Sequence, residues 1–118
     1  MEFMIFHIVE KRIFDENYKD GFYTNPTLFT RGFIHSVTVD YIELVAKKYL
    51  PQNEPVVILM IDEKSLDVPI RFEESKGTVY PHIYGKIKKE AIIKVLPFLT
   101  NDEGEFVLND EIKESKRY

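Results

Sequence analysis

The sequence predicts an α+β domain with mixed, strongly curved β-sheets and two main helices. Three observations carry that prediction. Residues 3–9 and 56–61 are two nearly continuous apolar runs, as strands covered on both faces require. Ile42, Val45, Ala46 and Tyr49 repeat at i, i+3, i+4 and i+7, which makes one apolar helical stripe. After that helix the chain is mostly extended, so strands and helices do not alternate as in a doubly wound fold. The 118 residues suit one core, with a globular domain over residues 1–108 and a polar tail over residues 109–118.

Taken in order, residues 3–9 form the first strand, with His7 its one polar interruption. His7 is either a core histidine bonded to a backbone carbonyl or a pocket group. Residues 11–19 read as a short helix, with Ile13, Phe14 and Tyr18 on one face and Gly21 as its C-cap. Residues 22–24 form a short strand, Asn25-Pro26 is a turn, and residues 27–31 are irregular. Residues 32–36 are extended. The main helix then starts at Thr38, an N-cap residue, and stops before Pro51. Glu43 and Lys47 support its solvated face at i, i+4.

The strand over residues 56–61 closes at Asp62, and the acids of residues 62–66 cap a turn or face solvent. Residues 70–74 form a strand in which Arg71 and Glu73 share a face. That pair is either an ion pair on a solvated edge or the floor of a pocket. Ser75-Lys76-Gly77 is a turn, and Pro81-His82-Ile83-Tyr84-Gly85 reads as a short loop with His82 and Tyr84 on one side. Residues 88–92 make a helical turn. Residues 93–99 and 105–108 are strands joined by a turn at residues 101–104, and Pro97 puts its segment at an edge or bend. The tail is frayed or helical.

Composition narrows the function. There are no cysteines, which removes disulfides and thiolate chemistry and fits a reducing cytoplasm. The formal charge of -4 and the absence of a Lys/Arg run argue against generic nucleic-acid binding. No apolar run approaches the ~18 residues of a membrane span, and the apolar opening lacks the basic leader of a secretory signal. The chain has no glycine-rich phosphate loop, no nucleophile elbow around Ser36 and no HExxH. Its three histidines lie far apart without partners at ligand spacing, so no metal is expected.

What remains is a cleft built from His35, Ser36, Arg71, Glu73, His82 and Tyr84, a donor and acceptor set for a polar ligand. Glu73, His35 and His82 are the candidate catalytic residues, as groups able to take or give protons. Ser36, Arg71 and Tyr84, with His7, are the candidate ligand contacts.

Five stretches in order carry a family resemblance: Ile5-Phe6-His7-Ile8, Gly32-Phe33-Ile34-His35, the strand ending at Asp62, Arg71-Phe72-Glu73, and Pro81-His82-Ile83-Tyr84-Gly85. Over residues 5–108 the chain resembles the domain of unknown function 952 family. The resemblance implies a small domain related to the ADP-ribosylation fold. There a nicotinamide dinucleotide lies between two curved sheets, an early His or Arg meets the adenosine ribose, and a later Glu orients the nicotinamide ribose. By position His7 or His35 is the early residue here and Glu73 the later one, with NAD as the candidate cofactor. The chain departs from the family at Phe14 and Phe72, where tryptophan is common. Val37 stands where the family places serine, with Ser36 one residue early. The His-Gly-Thr motif of many ADP-ribosyltransferases is missing. Two functions follow as expectations. One is a monomeric cytoplasmic binding domain or enzyme for a nucleotide-like small molecule such as NAD or an ADP-ribose derivative, with ADP-ribosyl transfer as one reaction open to it. The other is a non-enzymatic interaction module whose polar cluster is structural.

Overall fold

A computed structural model describes residues 4–115. Strand β1 (Met4–Glu10) runs into helix α1 (Lys11–Asn17), and a small hairpin of β2 (Tyr18–Lys19) and β3 (Phe22–Tyr23) follows. Helix α2 (Pro26–Thr30) leads to β4 (Ile34–His35). Helix α3 (Ile42–Ala46) lies between the 3-10 turns Val39–Tyr41 and Lys47–Tyr49. Then come β5 (Val56–Asp62), the hairpin β6 (Ile70–Ser75) and β7 (Thr78–Ile83), β8 (Ile87–Lys88), β9 (Ile92–Pro97), β10 (Leu99–Thr100), β11 (Phe106–Val107) and helix α4 (Asp110–Ser115).

The architecture is α+β, as the strand and helix order predicts. The sheets differ from the mixed, strongly curved ones expected. Among the described residues they are small, in the orders β1-β5-β9, β2-β3-β8, β4-β7-β6 and β10-β11. Every strand pairing among them is antiparallel. Three of these pairings, β2-β3, β6-β7 and β10-β11, are hairpins, whose short turns admit only antiparallel strands, whereas the others join strands far apart in the chain.

β5 is the middle strand of the central sheet, and alternate residues serve two cores. Val57, Leu59 and Ile61 join Ile5, Val9, Tyr23, Ile34, Ile83 and Ile87 on one side. Val56 and Ile58 join Phe6, Ile8, Ile42, Ala46, Leu96 and Ile112 on the other. The continuous apolar runs at β1 and β5 follow from that double coverage. Phe3, expected to open the first strand, lies outside the described residues.

Several local expectations are corrected. The first helix stops at Asn17, and Tyr18 and Lys19 pair with Tyr23 and Phe22 instead. Gly21 is therefore not a helix cap. With Asp20 it supplies the two positive φ values, 55° and 80°, of a tight hairpin turn. Asn25-Pro26 starts a helix rather than a turn: Asn25 accepts from the Thr27 N–H at 3.0 Å, and Pro26 occupies the first turn, where its missing N–H costs nothing. Thr38 sits at the N-cap position by backbone, but its side chain makes no capping bond. Asp62 does cap, accepting from the N–H of Lys64 and the hydroxyl of Ser65.

The largest correction concerns residues 81–85. They are not a loop, because Pro81, His82 and Ile83 end β7, the middle strand of the β4-β7-β6 sheet. A proline fits there because β4 pairs only with His82 and Ile83. The Pro81 carbonyl faces the β4 side and accepts from Ser36, so the missing N–H also falls beyond the end of β4. Gly85 does serve close approach: a Cβ there would lie 2.5 Å from Val68 Cγ1. Helix α4 puts Ile112 into the second core, and its lead residue Asn109 donates to the Pro97 carbonyl at 2.9 Å.

Candidate functional site

The β4-β7-β6 sheet turns Ile34, Ile83 and Ile70, which lie in one cross-strand row, toward the first core. The next row is His35, His82 and Arg71. Since adjacent residues of a strand face opposite ways, this row lies on the outer face. Glu73 and Tyr84 each stand two residues on from a member of that row and share its face.

Glu73 ties the group together. Its carboxylate accepts from His82 Nδ1 at 2.8 Å and from the Tyr84 hydroxyl. An ionised carboxylate only accepts, so the His82 proton sits on Nδ1 and Nε2 is left as an acceptor. The hydrogen bonds from Tyr84 and His82, with the nearby Arg71 charge, hold the Glu73 carboxyl below its ordinary value. The same bond raises the Tyr84 phenol. The Arg71 guanidinium lies 5.2 Å from the centre of the Tyr84 ring, a cation–π distance.

His35 and His82 meet edge to face with centroids 5.7 Å apart. Burial first, then the proximity of His82, Arg31 and Lys48, lowers the His35 pKa below the usual imidazole value. Phe33 lies flat on His82, centroids 3.9 Å apart and planes 14° off parallel, and also touches His35 and Tyr84. Phe33 was not among the candidate residues. Its signal was present, because Phe33 and His35 are two apart in an extended segment and so share a face.

Five of the seven candidates thus converge: His35, Arg71, Glu73, His82 and Tyr84. Two do not. Ser36 is buried, and its hydroxyl donates to the Pro81 carbonyl at 2.6 Å, which pins β4 to β7. His7 lies in the core with both ring nitrogens engaged, Nδ1 with the His35 carbonyl at 2.5 Å and Nε2 with the Tyr23 hydroxyl at 2.8 Å. Desolvation lowers its pKa to about 4. The core reading of His7 therefore holds. Tyr23 and Asn25, its buried partners, carried no signal in the sequence.

The converged face has His35 and Arg71 exposed, Glu73 and Tyr84 half-exposed and His82 buried against Phe33. Two surface depressions lie elsewhere, one of about 380 Å³ beside Pro97, Leu99 and Asn109 and one of about 220 Å³ beside Glu10, Tyr49 and Pro51. No group of three or more metal-ligating side chains occurs among the described residues. No helix among them is long and apolar enough to cross a membrane.

The fold is similar to that of protein CC0527 from Caulobacter crescentus. Its crystal structure matches with a TM-score of 0.79 at 20% identity, over 93% of this chain and 98% of that one. Its solution NMR structure matches with a TM-score of 0.73, also at 20% identity, over 92% and 95%. No curated protein matches the chain. Residues 8–95, which span the whole β4-β7-β6 face, match the family described as protein of unknown function (DUF952), and the chain belongs to that family.

Proposed function

We propose that the outer face of the β4-β7-β6 sheet binds a small anionic ligand carrying hydroxyl groups. The observation that carries this reading is the cross-strand row of His35, His82 and Arg71 with Glu73 bonded to His82. It sets a cation, a carboxylate and two imidazoles side by side on an open face. Arg71 meets phosphate or carboxylate oxygens of the ligand, and Glu73 meets a hydroxyl. His82, held in one tautomer, and His35, kept neutral near pH 7, exchange protons with it.

The relation to the ADP-ribosylation fold that the family resemblance implies makes NAD and ADP-ribose the first ligands to test. The donor set suits them: Arg71 for the pyrophosphate, Glu73 for a ribose hydroxyl, and Phe33 and Tyr84 as flat surfaces for a ring. When the reaction is ADP-ribosyl transfer, a carboxylate at Glu73 stabilises the positive charge that develops on the ribose. The early histidine of that comparison is then His35, because His7 is buried and fully bonded. The setting this reading assumes is a cytoplasmic monomer.

A ligand-shift melt of the purified protein against NAD, ADP-ribose and phosphorylated sugars tests the proposal. A ligand at a hundredfold its dissociation constant stabilises by about 2.7 kcal/mol. The shift should vanish in Glu73→Gln and Arg71→Ala. A shift that persists in both variants would place the ligand elsewhere, and no shift from any compound would end the nucleotide reading.

A second reading is an interaction module, favoured by Phe72 and Val79, which the same β6–β7 hairpin leaves 53% and 46% exposed. Here the Glu73, His82 and Tyr84 bonds are scaffold. Glu73→Gln should then lower the melting temperature strongly and leave ligand effects absent. As a site, Glu73 should cost little stability when replaced.

A further inference from the structure

His7 is a buried titratable group in the core, and the proposed site does not use its ring. Its surroundings form a directed chain of hydrogen bonds. The Asn25 amide oxygen accepts from the Thr27 N–H and the Thr27 hydroxyl, both at 3.0 Å. The Asn25 nitrogen must then donate, and it reaches the Tyr23 oxygen at 2.8 Å. Tyr23 gives its own proton to His7 Nε2 at 2.8 Å. The His7 proton is left on Nδ1 and goes to the His35 carbonyl at 2.5 Å. A backbone N–H can only donate and a backbone carbonyl can only accept. With those two groups at its ends, every proton between them has one place, and His7 has one tautomer.

The two ends of the chain are the two approaches to the site. At one end Asn25 caps α2, whose C-terminus leads through Gly32 to Phe33. At the other end is the backbone of β4 at His35 itself. We propose that His7 is a positioning residue, which holds the β4 backbone so that His35 faces His82, and links that placement to the capped helix before Phe33. The inference rests on reading the β4-β7-β6 face as the binding site. It gives the buried imidazole a role through the backbone of its neighbour and not through contact with ligand.

Two substitutions separate the halves of this role. His7→Asn places an amide nitrogen near the Nδ1 position and keeps the donation to His35. His7→Gln places an amide oxygen near the Nε2 position and keeps only the Tyr23 link. Both delete the ring, so a merely structural role predicts equal effects. Positioning predicts that His7→Asn keeps the Phe33–His35 ring contact by NMR and the wild-type titration midpoint of His35. His7→Gln should lose the contact, move the midpoint toward 6.5, and weaken ADP-ribose binding at least tenfold. Equal behaviour of the two variants in the NMR readouts overturns the proposal.

Those readouts need no ligand. Failure of ADP-ribose to bind wild type would count against the proposed ligand and leave the positioning result to stand by itself. Tyr23→Phe covers the case in which His7→Gln does not fold. It keeps the ring volume and removes the donor to Nε2. The Nδ1–H tautomer should persist, because the His35 carbonyl can only accept and Asn25 Nδ2 lies 3.5 Å from Nε2, while the His35 midpoint should move as the link to the capped helix is cut. An unmoved His35 midpoint would overturn the relay.

Discussion

At His7, burial sets a pH dependence whose sign follows from linkage. Its pKa is about 4 in the fold, lowered chiefly by desolvation, against about 6.5 in the unfolded chain. Between those values the unfolded chain binds a proton that the folded chain does not. Stability is therefore complete above about pH 6.5 and falls as pH drops toward about 4, by roughly 3 kcal/mol in total. The His35 shift acts in the same direction. Glu73, lowered by Tyr84 and His82, adds a contribution that is present above its ordinary carboxylate value and lost as pH falls through its folded value. Urea melts at pH 7 and pH 4.5 should show this fall in wild type and a smaller fall in His7→Asn. An equal fall in both would assign the pH dependence to other groups. The outer-face residues were legible at this scale, because Arg71 and Glu73 alternate in one strand and His82 and Tyr84 alternate in the next. The fates of Ser36 and His7 were not. Each is decided by a carbonyl far away in the chain, that of Pro81 for Ser36 and that of His35 for His7.

Among the elements, the hairpin of β6 and β7 shows how one residue type can mislead and another inform. Proline and glycine suggested a loop at residues 81–85. Proline is tolerated because pairing with β4 has already ended at His82. Glycine matters because of Val68, not because of a turn. Gly85→Ala should destabilise the fold by about 1–3 kcal/mol, as overpacking does. Val68→Ala in the same chain should recover much of that loss. Thermal melts of the two single variants and the double variant check this, and an additive pair would mean that the two side chains do not compete for the same space. Helix α2 escaped the sequence because Asn-Pro serves equally as a turn and as a cap followed by the first helical residue. Five residues are too few for an apolar stripe to decide between them. Strands β1 and β5 were plain because seven-residue runs covered on both sides can hold almost nothing polar.

For the molecule as a whole, the α+β class followed from the order of segments, whereas the division into four small sheets did not. Which short strand pairs with which is a matter of tertiary contact, and two-residue strands such as β4 and β8 carry no period. The site inherits that division. It sits on a peripheral sheet with one edge open at β6; the inner face of that sheet leans on the first core, and its β7 touches the second through Tyr80 alone among the described residues of that strand. The central sheet is placed differently, because β5 contributes to both cores through alternate residues. No partial opening can release β5 while either cover remains in place. Native-state hydrogen exchange should therefore find the amides of Ile58 and Leu59 protected by the full free energy of unfolding, with the β6–β7 hairpin opening at lower cost. The protein would then be one cooperative unit carrying a locally breathing arm, and a ligand on that arm would be seen first as slower exchange in the hairpin. Equal protection of hairpin and β5 would instead mean that the binding face opens only when the whole chain does.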